Sequence, residues 1–192
     1  MYSAKAKRRP KKTRVLGYST LATVHEDMDK LLLPSWVPTT PRHAGTTQHG
    51  KMTADQYRTL FTINLPFTLS RLWGTKPRES LEYRMFENFM CLVSATKIAM
   101  MRTMTRERVA KYRFYIKRYV QTLLDTYPGL SLAPTHHICL HLGDLLEDFG
   151  PVHAWRCFPF ERYNGMLQKI PTNGKYGTNL TPFMLSVAHH SY

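Results

Sequence analysis

TRERVAKYRFYIKRYVQTLLDT, running from Thr105 to Thr126, decides the fold class. Thr105 is suited to cap a helix, because its hydroxyl can accept a hydrogen bond from a backbone N–H that the first turn leaves unpaired. Behind it Val109, Tyr112, Ile116, Tyr119, Val120, Leu123 and Leu124 recur at helical spacing. Arg106, Arg108, Lys111, Arg113, Lys117 and Arg118 form the basic remainder, and Tyr127-Pro128-Gly129 ends the pattern. The spacing therefore predicts an amphipathic helix over 106–126.

The same period extends in both directions. Upstream, a helix is expected over about 79–103, starting near Glu79, with Leu81, Met85, Phe86, Phe89, Leu92 and Val93 on one face. Thr53-Ala54-Asp55-Gln56 has the form of a capping box and opens a helix carrying Tyr57, Leu60, Phe61, Leu65, Leu69 and Leu72. Pro66 lies inside that run and should kink it, since it lacks a backbone donor and crowds the preceding turn. Downstream, Pro134 to Gly150 reads as a shorter helix capped by Thr135. An irregular aromatic-rich stretch follows over 152–160, then a helix from about Pro159 to Pro171 and a turn over 172–179. No convincing period-2 strand and no internal repeat is visible. The expected fold class is mostly α: a helical bundle-like body, an irregular aromatic-rich segment and a disordered basic N-terminal tail.

That tail is residues 1–14. Lys5, Lys7, Arg8, Arg9, Lys11, Lys12 and Arg14 stand there without an acidic residue and with almost nothing to bury, so disorder is expected. Runs of this kind serve as nuclear addresses or as arms contacting nucleic acid, and they also occur as plain solvated tails. Residues 15–50 read as an extended, linker-like region punctuated by Pro34, Pro38, Pro41, Gly45 and Gly50, with Leu31-Leu32-Leu33-Pro34-Ser35-Trp36 as an apolar anchor. Residues 51–180 form the helical domain and 181–192 the C-terminal end.

Across 192 residues, 27 Lys+Arg face 13 Asp+Glu, a net charge of +14. Removing the tail leaves half of that surplus in the body. Such an excess favours a polyanionic partner, nucleic acid or an anionic membrane surface, because binding releases counterions. Cys91, Cys139 and Cys157 form neither a CxxC pair nor a disulfide framework, which fits a reducing compartment. The basic start is not followed by an apolar segment of the secretory type, and no uncharged apolar run approaches the ~20 residues of a membrane span. A soluble protein is expected, nuclear or otherwise cytoplasmic, not secreted and without a membrane partner.

Two places could carry chemistry. In Thr135-His136-His137-Ile138-Cys139-Leu140-His141, the helical spacing puts His137 and His141 on one face, one turn apart. Metal sites use this spacing when two imidazoles come from one helix. Asp144 extends the face as a third ligand or an outer acceptor, and His136 points away from it. Histidines held by ordinary hydrogen bonds are the competing account. Glu161 sits in Cys157-Phe158-Pro159-Phe160-Glu161-Arg162-Tyr163. Its place in a first helical turn is explained by the macrodipole alone; the functional account makes it a Mg²⁺ ligand. No P-loop, GxGxxG, HExxH or GxSxG pattern is present.

The block from Pro134-Thr135-His136-His137 through His141, with Phe149-Gly150-Pro151-Val152-His153-Ala154-Trp155 and Phe158-Pro159-Phe160-Glu161-Arg162-Tyr163-Asn164-Gly165, resembles the domain of unknown function that follows the transposase core in CACTA (En/Spm-like) elements of plants and fungi. Gly50-Lys51-Met52-Thr53-Ala54-Asp55-Gln56-Tyr57-Arg58 and Arg71-Leu72-Trp73-Gly74 resemble the basidiomycete branch. Such transposases are DDE/D enzymes with an RNase H-like sheet. The V(D)J recombinase and related enzymes place a zinc-binding histidine pair shortly before the last catalytic acid. The resemblance thus implies Glu161 as a remnant third acid, and His137, or His136 as its alternate, with His141 as the metal pair; Asp144 is an alternate ligand on spacing alone. The two aspartates and the cysteine half of the zinc site have no counterpart here. The resemblance accordingly implies a truncated transposase-derived protein, inactive alone, with no cofactor in the isolated chain and zinc or Mg²⁺ only in a complete transposase. Its expected partners are DNA, a full-length transposase in trans and a second copy of itself. A host-adopted nucleic-acid-binding module and a helical protein-interaction module are the alternatives.

Overall fold

The computed structural model describes residues 16–46, 51–155 and 166. Among them the fold is α-helical, without a strand. The basic tail, residues 1–14, lies outside the described residues, as do Cys157, Glu161 and, apart from the helical Met166, the helix expected from about Pro159 to Pro171. The chain divides into two compact units, Met1–Ala154 and Trp155–Tyr192.

The first unit is built on an antiparallel hairpin of α4 (Leu81–Ala99) and α5 (Arg106–Thr126). α5 occupies the predicted span, and Thr105 caps it by accepting the Arg108 N–H. α4 is shorter than the expected 79–103. Ser80 caps its start by accepting the Tyr83 N–H, and the chain leaves the helix at Met100 to place Thr105 in extended geometry for the next cap. α4 packs against α5 on one side and against the preceding helices on the other. Its buried set, Met85, Asn88, Cys91, Val93, Ala95, Ile98 and Ala99, is accordingly wider than a single stripe. Leu81 and Leu124, expected inside, are exposed.

Ahead of the hairpin, α2 (Ala54–Thr59) opens on the predicted box, in which Gln56 accepts the Thr53 N–H while its own N–H reaches the Thr53 hydroxyl. It continues without interruption through a π-helical turn, Leu60–Asn64, into α3 (Leu65–Leu72). The expected kink at Pro66 takes the form of this wider turn, where Leu65 donates to Leu60. The added residue gives room around the proline, which can neither donate nor tolerate a close carbonyl. Asn64, buried in the π turn, accepts a hydrogen bond from Thr40 at 2.8 Å.

Residues 15–50 are not an extended linker throughout, because Tyr18–Lys30 forms α1. Its start at Gly17 has neither a capping side chain nor a first-turn acid, so the usual local signals are missing. Tertiary contacts supply what they lack. Val24 is fully buried beside Leu65, Leu69 and Trp73, His25 Nε2 lies 2.9 Å from the Ala44 carbonyl, and Asp27 accepts hydrogen bonds from Thr68 and Arg71. The apolar anchor after α1 is only half an anchor: Leu31 and Leu33 are half-buried, whereas Leu32 and Trp36 face solvent. An extended chain alternates its side chains between two sides, so successive leucines cannot all turn inward.

Asp27 sets an acid limit on this corner. Burial raises its pKa, but hydrogen bonds from Arg71 and Thr68 outweigh that and hold the carboxyl below the ordinary Asp value of 3.8. A carboxylate with a lowered folded pKa stabilises at neutral pH, and that contribution is lost as pH falls below the unfolded value. The stability gap between wild type and Asp27→Asn should therefore be widest near neutrality and shrink below the ordinary Asp value. Urea unfolding along a pH series checks this, and a gap independent of pH rules it out.

α6 (Pro134–Phe149) lies antiparallel on α5 and completes the unit. Its cap is not Thr135. Pro134 occupies the first turn, which suits its fixed φ and missing donor, and this places Thr135 inside the helix and Ala133 at the cap. His136 Nδ1 accepts the Ala133 N–H at 2.9 Å in the hydroxyl's stead. α6 seats Leu146 against α5, and the Tyr112 hydroxyl donates to the Cys139 carbonyl at 2.9 Å. At Gly143 an added Cβ would stand 2.7 Å from Arg113 Cγ, so the absent side chain makes space for the arginine stem. α6 ends at Gly150, whose φ of 75° suits glycine. A single 3-10 turn, Val152–Ala154, follows. Among the described residues no helix is long and apolar enough to cross a membrane.

Candidate functional site

α6 brings His137 and His141 together as the spacing predicts. Their Nε2 atoms stand 3.1 Å apart, with the rings edge to face, and both side chains are exposed. One shared proton accounts for this distance if one ring donates and the other accepts. The same distance also suits a chelate, because two imidazole nitrogens bound to a tetrahedral ion at about 2.0–2.1 Å are themselves about 3.3 Å apart.

The two alternates take other roles. His136 is turned away and its Nδ1 is used at the start of the helix. Asp144 stands nearer the other nitrogen: its Oδ2 lies 3.8 Å from His141 Nδ1. An outer carboxylate orients a ligating imidazole through a hydrogen bond, which 3.8 Å is too long to make. Asp144 is held by Arg113, whose guanidinium donates to Asp144 and to Glu147 at 2.7 Å each. The Arg113 hydrogen bond keeps the Asp144 carboxyl below its ordinary range, so the pair stays charged at neutral pH. Among the described residues no three His, Cys, Asp or Glu side chains are placed to hold one metal ion.

The described cysteines are free thiols, Cys91 buried and Cys139 half-buried, and burial raises the pKa of both. A raised thiol pKa opposes the thiolate needed for nucleophilic chemistry. Tyr112 is pushed upward for the same reason, with Cys139 adding to the effect, and acts as a buried hydrogen-bond donor.

The basic side of α5 is more neutralised than its sequence suggests. Lys111 pairs with Glu107, Arg113 with Asp144 and Glu147, and Arg118 with Glu87 on α4. Three exposed cations without a described carboxylate partner, Lys97, Arg102 and Arg106, sit at the α4–α5 connection, while Lys30, Lys51, Lys76, Arg78, Arg84 and Lys117 lack one elsewhere. Arg108 is turned to the same end, donating to the Thr103 carbonyl and hydroxyl. Beside them Met104, Thr105, Arg106, Val109, Leu146, Glu147 and Gly150 line a cleft of about 240 Å³. Sequence reading passed over this cluster because it is split between two helices and their connection, where no periodic pattern applies. No protein-family model, curated protein or solved structure matches this chain.

Proposed function

We propose that this chain is a transposase-derived helical module that contacts DNA in the nucleus and does not cut it unaided. The observation that carries the DNA reading is the cationic end of the α4–α5 hairpin. Arg106 and Arg108 occupy the first turns of α5, where the helix dipole is positive and each cation costs about 0.3–1 kcal/mol. A phosphate placed there would reverse the sign of that interaction and meet the unpaired N–H groups of the first turn. The surplus of +14 and the seven cations of residues 1–14 support the same reading. Transposase descent rests on the resemblance around His136 to Gly165. Cleavage by the DDE route requires three carboxylates around two Mg²⁺, of which the resemblance supplies Glu161.

Charge reversal tests the reading. The double variant Arg102→Glu/Arg106→Glu should bind duplex DNA at least about tenfold more weakly, with a log–log salt slope about 2 shallower, as expected for two lost phosphate contacts. Fluorescence anisotropy over a salt series measures both. An unchanged affinity and slope would remove the hairpin end from the interface. The alternative of a protein-interaction module draws on one specific observation, the exposed Ile138, Leu145 and Phe149 of α6.

A further inference from the structure

We propose that Thr103 is a phosphorylation site for a protein kinase that accepts arginine around its threonine, and that Arg108 holds the phosphate and so closes the α4–α5 connection to nucleic acid. The phosphate site stands by itself; its effect on DNA rests on the DNA reading above. Residues 100–105 lie between the end of α4 and the cap of α5, and Thr103 is exposed among them. Arg108 folds back from α5 over this stretch. Its Nη1 donates to the Thr103 carbonyl at 2.7 Å and also to the Thr103 hydroxyl. A guanidinium is therefore already paired with the oxygen that would carry the phosphorus. Other threonine hydroxyls of the fold bond a backbone group, as at Thr53, Thr96 and Thr105, or a carboxylate, as Thr68 does with Asp27.

The transfer forms a bond between Thr103 Oγ1 and the γ-phosphorus of ATP as the bond to the β–γ bridging oxygen breaks. ADP leaves with that electron pair, and the hydroxyl proton passes to a base of the kinase. The product carries about −1.5 to −2 charge and three acceptor oxygens. It arrives among cations: Arg102 precedes it, Arg106 opens α5, and Arg108 reaches it directly. Two carboxylates of this end are engaged elsewhere, Glu107 by Lys111 at 2.6 Å and Glu147 by Arg113 at 2.7 Å. Thr105 suits the reaction less well. Its hydroxyl takes the Arg108 N–H as the cap of α5, and the residues after it are helical, whereas the chain next to Thr103 is free of helix on both sides. Phosphate on Thr103 has two separable consequences. It ties the connection to α5 through charge-assisted hydrogen bonds, and it neutralises cations that otherwise meet nucleic-acid phosphate.

The test uses the full chain in two forms. Expressed in cultured eukaryotic cells under phosphatase inhibition, it should carry phosphate on Thr103 by peptide mass spectrometry, and Thr103→Val should remove it. The full chain made with phosphothreonine incorporated at 103 then reads the consequences. Its Tm should exceed that of the unmodified chain by about 2–4 °C, the scale of one added charge-assisted contact in a chain of this size. In the Arg108→Gln background, with and without the phosphate, that difference should vanish. Affinity for duplex DNA should fall at least about tenfold, with a log–log salt slope about 2 shallower, as two neutralised cations give. Phosphate absent from Thr103, or found on Thr105 in its place, overturns the proposal. So does a Tm unmoved by the phosphate, a gain that survives Arg108→Gln, or DNA binding that the phosphate leaves unchanged. An unmodified chain that binds no DNA ends the DNA reading instead, and the Tm comparison still decides the phosphate site.

Discussion

Replacing Leu146 by Ala should lower the unfolding free energy by about 2–5 kcal/mol, the range for deleting a fully buried leucine. Leu146 is 1% exposed and is the contact through which α6 meets α5 beside Val109. Truncation removes the transfer free energy of the lost methyl groups and leaves a cavity that α6 can close only by shifting. Such a shift is resisted by the Arg113 bridge to Asp144 and Glu147 and by the Tyr112 bond to the Cys139 carbonyl. The control is Leu32→Ala: the same chemistry at a residue 95% exposed should change stability by no more than about 0.5 kcal/mol. Urea midpoints at constant slope report both values. A cost below about 1 kcal/mol at Leu146 would mean that α6 is not docked on α5 as described.

Deleting residues 1–14 should have the largest effect on DNA affinity. The segment holds seven cations and no acid, and nothing in its composition offers an internal partner for them. Each phosphate contact contributes about −0.9 to the slope of log affinity against log salt on duplex DNA. With the body's cations added, the full chain should lose on the order of 10³-fold or more in affinity between about 50 and 200 mM salt. The deleted chain should show a slope shallower by several units, and much weaker binding at low salt. The same deletion in a fluorescent fusion should abolish nuclear accumulation, because the run is also the one basic segment of the address type. Equal slopes with and without the segment would exclude it from the DNA contact. Accumulation retained after deletion would exclude it as the address.

Much of the helical body was legible because its signals are local. Thr105 and the stripe behind it, the Thr53/Gln56 box, and the i, i+4 spacing of His137 and His141 each lie within a few residues. Backbone geometry then leaves a helix little choice about where those groups point. Cap positions were less secure where two local rules competed, as at Pro134-Thr135, where proline's preference for the first turn displaced the hydroxyl.

The features that required the tertiary structure are those whose partners are distant in sequence. α1 has no starting signal and is held by Thr68 and Arg71, 41 and 44 residues away from Asp27. Asn88 reads as a polar interruption of an apolar face. It is nevertheless buried, because the Tyr119 carbonyl and the Thr122 hydroxyl of α5 both accept from it at 2.8 Å. The charge of α5 was countable from the sequence, but which cations are neutralised was not, since Glu87, Asp144 and Glu147 reach it from other helices. Asp144 shows the same division. Its spacing placed it on the histidine face of α6, and only the packing of Arg113 over Gly143 gave its carboxylate a guanidinium partner. By itself the sequence determined where the helices after residue 51 run and which of their side chains share a face, but not α1. Packing decided which of those side chains are spent on one another, because pairing energy depends on a distance that no spacing along the chain specifies.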